Sequence, residues 1–302
     1  MFIFAYWFMF PACILIATIA MLTGISGTAI LTPFIILIFP LLGVPHISPF
    51  AAIGMALFTE FFGFSSGVAG YYRAKLIDYK NGVKMLYITV PIIIVFLLLS
   101  SLINQAYVKV VYGIMMVILA LYLMSGPSKS IRNSTLKSVP KEATDVAVLN
   151  KASKYTVITS EYAGTFRYKV CNVAFGRLFA AIGAAMEGLT SVGLGELIMP
   201  NLIRRCKIPV PVAAATSVFV IAITVLFGSV VSIVLLANNS GAESIPWSLV
   251  AFTVPGAVIG GFVGSRSQGK FSSKGMETLI AAMFALIGVA FLYTTLLPLM
   301  AA

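Results

Sequence analysis

The sequence predicts an all-α polytopic membrane protein of two inverted repeats, each a broken-helix hairpin plus three transmembrane helices. Three observations lead there. Hydrophobic residues make up 60% of the chain and charged residues 10%, with a mean hydropathy of +1.04. A soluble chain of 302 residues carries far more charged surface. Apolar runs near the roughly 20 residues that a spanning helix takes recur along the chain. The order of features in the first half returns in the second. Open strands and irregular backbone cannot face lipid, so these runs are read as helices. The short alternating segments of a β-barrel are not apparent.

Taken in order, Phe2 to Leu22 is the first apolar run. It starts apolar with no basic flank, so it is expected to be a membrane helix rather than a cleavable signal. It breaks at Gly24-Ile25-Ser26-Gly27 and resumes as a shorter segment, Thr28 to Leu42, with Pro33 and Pro40 inside. A connector, Gly43 to Ser48, carries the only histidine, His46. Pro49 to Tyr71 follows with Glu60 at mid-span, then a basic loop with Arg73, Lys75, Lys80 and Lys84. Met85 to Ile103 and Val108 to Met124 complete the first repeat, residues 1–126.

Residues 127–170 are polar, with little helical periodicity, and read as a flexible cytoplasmic linker. The second repeat, residues 171–302, starts with Val170 to Leu189 and breaks at Thr190-Ser191-Val192-Gly193-Leu194-Gly195. A short segment with Pro200 ends at Arg204-Arg205-Cys206-Lys207. Then come Val210 to Ala237, a polar loop at Asn238 to Glu243, Pro246 to Gly264, a basic loop with Arg266, Lys270 and Lys274, and Met276 to Leu297. Ser26 lies seven residues before Pro33, as Gly193 does before Pro200, and Thr59-Glu60-Phe61-Phe62-Gly63 matches Thr224-Val225-Leu226-Phe227-Gly228 as T-x-x-F-G.

A hairpin plus three spans is an odd number of crossings, so the second half is expected to be inverted. With the loop at 73–84 in the cytoplasm, the linker, Arg204 to Lys207 and the loop at 266–274 fall there too. Only Lys109 and Arg177 stand apart from this sorting, which is what the positive-inside rule requires. Both termini are then external, in the plasma membrane. The net charge of +11 is read as this orientation signal and not as a nucleic-acid surface. Cys13, Cys171 and Cys206 form no CxxC, so no metal site or redox pair is expected. No Walker-type loop is found, and no cofactor is expected.

Gly/Pro-broken segments at matching positions of two halves mark the binding site of a secondary transporter. Glycines let backbone approach a ligand, and the helix restarting after each break has N–H groups without intrahelical partners. Ser26, Thr28 and Ser191 add hydroxyl donors, so Gly24, Ser26, Gly27, Thr28, Ser191, Gly193 and Gly195 are expected to hold a small anion. The bland alternative is that these small residues only allow close helix packing. Glu60, Glu187 and Glu196 are acids in or beside apolar segments. Glu60 is the favoured coupling residue, carrying a coupled proton or shaping the pathway. Arg177 could pair with an anion or with one of these acids, but its early-helix position favours snorkelling to the cytoplasm.

These breaks, with Pro33 and Pro200, resemble the TauE/SafE sulfite exporter family over both halves. Ala213-Ala214-Ala215-Thr216-Ser217 looks like that family's A-x-x-T-S segment, which adds Thr216 and Ser217 to the expected substrate site. Thr28 and Ala29 follow Gly27 where the family pattern often has more glycines. The resemblance implies export of a small sulfur-containing anion of the sulfite, sulfoacetate or thiosulfate class. Two alternatives stay open: a passive anion channel, and a rhomboid-like intramembrane serine protease. The second would use Gly24-x-Ser26-Gly27 as its G-x-S-G motif, but a protease needs a histidine base, and it would not account for the second break.

Overall fold

The computed structural model describes residues 6–44, 47–124, 155–160, 164–169, 173–204, 206, 208–241, 245–267 and 273–301. His46, Cys171 and positions 125–154 of the linker lie outside the described residues. Eleven helices are described: α1 (Met9–Thr23), α2 (Thr28–Pro33), α3 (Phe39–Leu41), α4 (Pro49–Arg73), α5 (Tyr79–Leu102), α6 (Gln105–Met124), α7 (Val173–Thr190), α8 (Leu194–Arg204), α9 (Val210–Ser240), α10 (Trp247–Arg266) and α11 (Ser273–Ala301). Among the described residues, α4, α5, α9 and α10 are each long and apolar enough to cross a membrane, and shorter apolar helices accompany them. The outward faces keep large apolar side chains such as Tyr87, Leu102, Leu121 and Leu286 exposed, as lipid contact demands.

Local chemistry sets the boundaries. Ser48 caps α4, its hydroxyl accepting from the Ala51 N–H, with Pro49 at the first helical position where a missing N–H costs nothing. Asp78 caps α5 by accepting from the Asn81 N–H at 3.1 Å. That cap starts α5 at Tyr79, so Lys80 and Lys84 stand on its first turns and not in the preceding loop. Likewise Asn238 to Ser240 form the last turn of α9 rather than a loop. Between α2 and α3 the chain widens into a π turn, Phe34–Ile38, flanked by Pro33 and Pro40. Pro33 cannot donate to the Ala29 carbonyl one turn back. The Tyr112 hydroxyl of α6 donates to that carbonyl instead, at 3.1 Å.

The two halves interlock. Helix α1 packs on α10 and α7 on α5; α4 packs on α10 and α9 on α5; α4 meets α9 and α6 meets α11. Exchange of the halves interchanges the first two pairs, interchanges the next two, and maps α4–α9 and α6–α11 each onto itself. Two buried hydrogen bonds follow the same exchange. Thr59 of α4 bonds Thr253 of α10 at 2.8 Å, and Thr224 of α9 bonds Thr89 of α5 at 2.8 Å. Thr89-Val90-Pro91 and Thr253-Val254-Pro255 are the same tripeptide at corresponding places. Small residues bring the helices together: Gly256, Gly260 and Gly264 of α10 lie against the backbone carbonyls of Phe10, Ile14 and Thr18 on α1.

Part of the stretch expected to be a flexible linker is ordered. Strands β1 (Tyr155–Ser160) and β2 (Gly164–Lys169) form an antiparallel hairpin, the one sheet among the described residues. Tyr168 is buried and donates to Asp78 Oδ2 at 2.7 Å, while the Asp78 N–H donates to Thr216 Oγ1. Burial, then the Asp78 carboxylate, push the Tyr168 phenol above its ordinary range. Alternation supplies the reason: Phe166 and Tyr168 share one face of β2, and Phe166 packs with Ile158 against the helical core. Linker hairpin and basic loop therefore lie on the same face of the bundle. Cys13 is a buried free thiol, and Cys206 is disulfide-bonded.

Candidate functional site

The two breaks meet in the interior. Helix α1 ends on Gly24, whose φ is +64°, and its N–H donates to the Ala20 carbonyl at 2.8 Å. Helix α7 ends the same way on Ser191, with φ +58° and an N–H donating to the Glu187 carbonyl at 2.7 Å. Both are left-handed helix ends, a conformation that glycine adopts freely and serine does not. Gly195 lies against the Ser26 N–H and the Gly24 carbonyl, so one break touches the other.

Each restarting helix offers N–H groups toward this contact, and carboxylates take them. Glu60 Oε1 accepts from the Gly27 N–H at 2.6 Å. Glu187 Oε2 accepts from the Leu194 N–H at 3.1 Å, and Glu196 Oε2 from the Gly193 N–H at 2.9 Å. The last is the reciprocal half of a capping box, a glutamate at the third helical position reaching back to the cap. Ser26 Oγ lies 2.8 Å from Glu60 Oε1, 3.2 Å from Glu187 Oε1 and 2.5 Å from Thr28 Oγ1. Thr28 Oγ1 lies 3.3 Å from both Glu60 Oε2 and Glu187 Oε1 and also contacts the Ser191 carbonyl. Thr32 and Ser191 hydroxyls are 2.7 Å apart. Ser26, Thr28, Glu60, Glu187, Ser191 and Glu196 are all buried.

The expected site residues are thus gathered, with one exception. Gly24, Ser26, Gly27, Thr28, Ser191, Gly193 and Gly195 line the meeting of the breaks, and Ser217 joins them by donating to the Gly24 carbonyl at 3.2 Å. Thr216 does not: its hydroxyl turns to the Asp78 N–H beneath the linker hairpin. Adjacent residues of a helix point about 100° apart, so a T-S pair cannot serve one point together. Glu187 and Glu196 stand beside Glu60, where the sequence reading gave them less weight. Glu187 lies four residues before the left-handed Ser191, and Glu196 completes the capping box; both spacings were legible. Thr32 and the buried amide of Asn201 carried no signal. The Asn201 amide and Glu196 Oε1 are buried without a hydrogen-bond partner. Every lysine and arginine whose side chain is described is exposed or half-buried, Arg177 being exposed, so no cation answers these carboxylates among the described residues.

Broken helices from two interlocked halves, meeting at a buried polar centre inside an apolar bundle, define a class: the membrane transporters. The chain matches the profile of the Sulfite exporter TauE/SafE family over residues 9–291, and it belongs to that family. It is 26% identical over 281 residues to the probable membrane transporter protein YunE of Bacillus subtilis, covering 91% of this chain and 93% of that one. A probable membrane transporter protein of Methanocaldococcus jannaschii is 25% identical over 287 residues, 91% of each chain. No solved structure matches. These relatives are named as transporters, and this chain is a multi-pass membrane transporter and not an enzyme.

Proposed function

We propose that this transporter moves a small sulfur-containing oxyanion of the sulfite, sulfoacetate or thiosulfate class across the plasma membrane, in the direction of export. The family's description as sulfite exporters favours both the substrate class and the direction. One observation carries the substrate site: the N–H groups of Gly27, Gly193 and Leu194 and the hydroxyls of Ser26, Thr28 and Ser191 converge between the breaks. Such neutral donors suit an oxyanion with several acceptor oxygens and hold it loosely enough to release it. Gly24, Gly195 and Ser217 complete this site, and Glu60 takes the coupling role. The centre is enclosed by side chains from both halves, which favours a carrier over an open anion channel. In this reading the halves are inverted repeats and the linker is cytoplasmic, supported by the contact of Tyr168 with the basic loop's Asp78.

The test is binding of sulfite, thiosulfate, sulfoacetate and sulfate to the purified full-length chain, followed by flux in proteoliposomes. One of the first three is expected to bind and to show saturable counterflow. Flux that rises linearly with concentration, without counterflow, makes the protein a channel.

A further inference from the structure

The carboxylates sit where the anion is expected to bind. Glu60 and Glu187 hold the N–H groups of Gly27 and Leu194, one from each break. The protein's own anions therefore occupy the donors that an external oxyanion would need, so the anion cannot enter until something releases them.

Hydrogen-bond accounting says what does. Ser26 Oγ is within bonding distance of Glu60, Glu187 and Thr28, and Thr28 Oγ1 is within bonding distance of Glu60, Glu187 and the Ser191 carbonyl. The two hydroxyls supply one proton each. With both carboxylates ionised, most of these oxygen pairs face each other with no hydrogen between them. One added proton on Glu187 Oε1 raises the bonded pairs from two to three of the six: Glu187 donates to Ser26, Ser26 donates to Glu60, and Thr28 donates to the Ser191 carbonyl, while the Ser26–Thr28 pair and the two 3.3 Å contacts of Thr28 still lack a hydrogen. The chain runs from α7 through the first break to α4, and so joins the halves. A separate side chain points to the same deficit of hydrogens. Glu196 enters from α8, fully buried, with Oε1 unpartnered, and its carboxylate interacts with Glu187 and the Ser26 backbone N–H. A cavity of ≈ 20 Å³ beside the chain touches Glu60, Thr59 and Cys13 but is otherwise lined by apolar residues such as Ile16, Leu31 and Phe64, which keep bulk water from the carboxylates.

The groups facing the chain are Glu60 of α4, Glu187 of α7, Glu196 of α8, Tyr112 of α6 and Cys13 of α1. All are acids or neutral. We propose that Glu60, Ser26 and Glu187 form a proton-binding site shared by the two halves, and that its proton travels with the substrate anion in the same direction. When a further proton arrives, Glu60 becomes neutral too, its hold on the Gly27 N–H weakens, and the oxyanion takes its place. On release the proton leaves to water and the carboxylate returns to the N–H. This coupling rests on the anion-transport reading; the proton site does not.

Infrared difference spectra of the full-length protein in liposomes, stepped through pH, test the site without any substrate. A protonated carboxylic-acid carbonyl band is expected at neutral pH, altered by Glu60→Gln and by Glu187→Gln and left in place by Glu196→Gln. Absence of the band in the parent protein overturns the proposal, even if sodium stabilises the fold, which would make the occupant a metal cation. A band removed by Glu196→Gln alone also overturns it. In a second arm, sulfite or thiosulfate is added to weakly buffered protein, and about one proton is expected to be taken up per anion bound. Binding without uptake overturns the coupling. No binding by any anion, with the band intact, removes the substrate reading and leaves the proton site standing.

Discussion

The two breaks share a backbone and differ in chemistry. Gly24 and Ser191 are both left-handed, both cap a helix through the carbonyl four residues earlier, and both precede a short helix with a proline nine residues on. Aligned this way, Ala20 stands opposite Glu187 and Ala29 opposite Glu196. The second break brings its own carboxylates, whereas the first borrows Glu60 from α4, where the second half has Val225. Had each half kept its own acid, two separate capped turns would result. Because the acids are distributed unequally, they gather around Ser26 and tie the halves at one point. Symmetric backbone thus supplies two matched helix ends, and asymmetric side chains turn them into a single centre.

The comparison is tested most severely at the glycines. Gly193 has φ +126°, a region essentially closed to residues with a Cβ, and a Cβ there would lie 2.8 Å from Met186 Cβ. Gly193→Ala is expected to lose about 3 kcal/mol of stability. Gly24→Ala meets a milder left-handed cost of about 1–2 kcal/mol, with the Ala214 backbone at 3.1 Å. Thermal unfolding in detergent should therefore rank Gly193→Ala well below Gly24→Ala. Equal losses would mean that the breaks are strained alike.

A smaller effect separates the hydroxyls. Ser26→Ala removes a group touching Glu60, Glu187 and Thr28, while Ser191→Ala removes one whose hydroxyl meets Thr32. Ser26→Ala is expected to weaken binding of the anion identified in the screen about tenfold, and Ser191→Ala by about threefold, following roughly 1 kcal/mol per hydrogen bond and more for charged partners. Calorimetry reads both. If the double variant binds like the parent, neither hydroxyl is a ligand and the breaks serve packing alone.

The smallest effect checks the symmetric background. Thr59→Val and Thr224→Val each remove one of the paired threonine bonds between halves. Each should cost about 0.6 kcal/mol in the same unfolding assay. A large difference between them would show that the asymmetry extends beyond the breaks into the interlocking helices.

Much of this was legible before any coordinates. Long apolar runs gave the helices, since a chain in lipid has no other way to satisfy its backbone. Gly24, Pro33, Gly193 and Pro200 marked the breaks because glycine and proline act locally. The hairpin inside the linker leaves little trace in the sequence because two six-residue strands give only a weak alternation in a polar stretch, and Tyr168 acquires its meaning from Asp78, 90 residues away. The first turns of α5 read as loop because they carry Lys80 and Lys84, and only the cap at Asp78 marks where the helix begins.

What the sequence determined by itself is the class of molecule and the position of each break, both consequences of hydropathy and backbone preference along a local stretch. What only the tertiary structure decided is which charges meet. Glu60 and Glu187 are 127 positions apart, and no periodicity along the chain says that both turn toward Ser26. That follows from α4 and α7 each bringing one carboxylate to Ser26 in the packed bundle. Partners are a property of packing, so the same acids that read singly as expensive residues in apolar helices become, once packed, one hydrogen-bonded centre short of a proton.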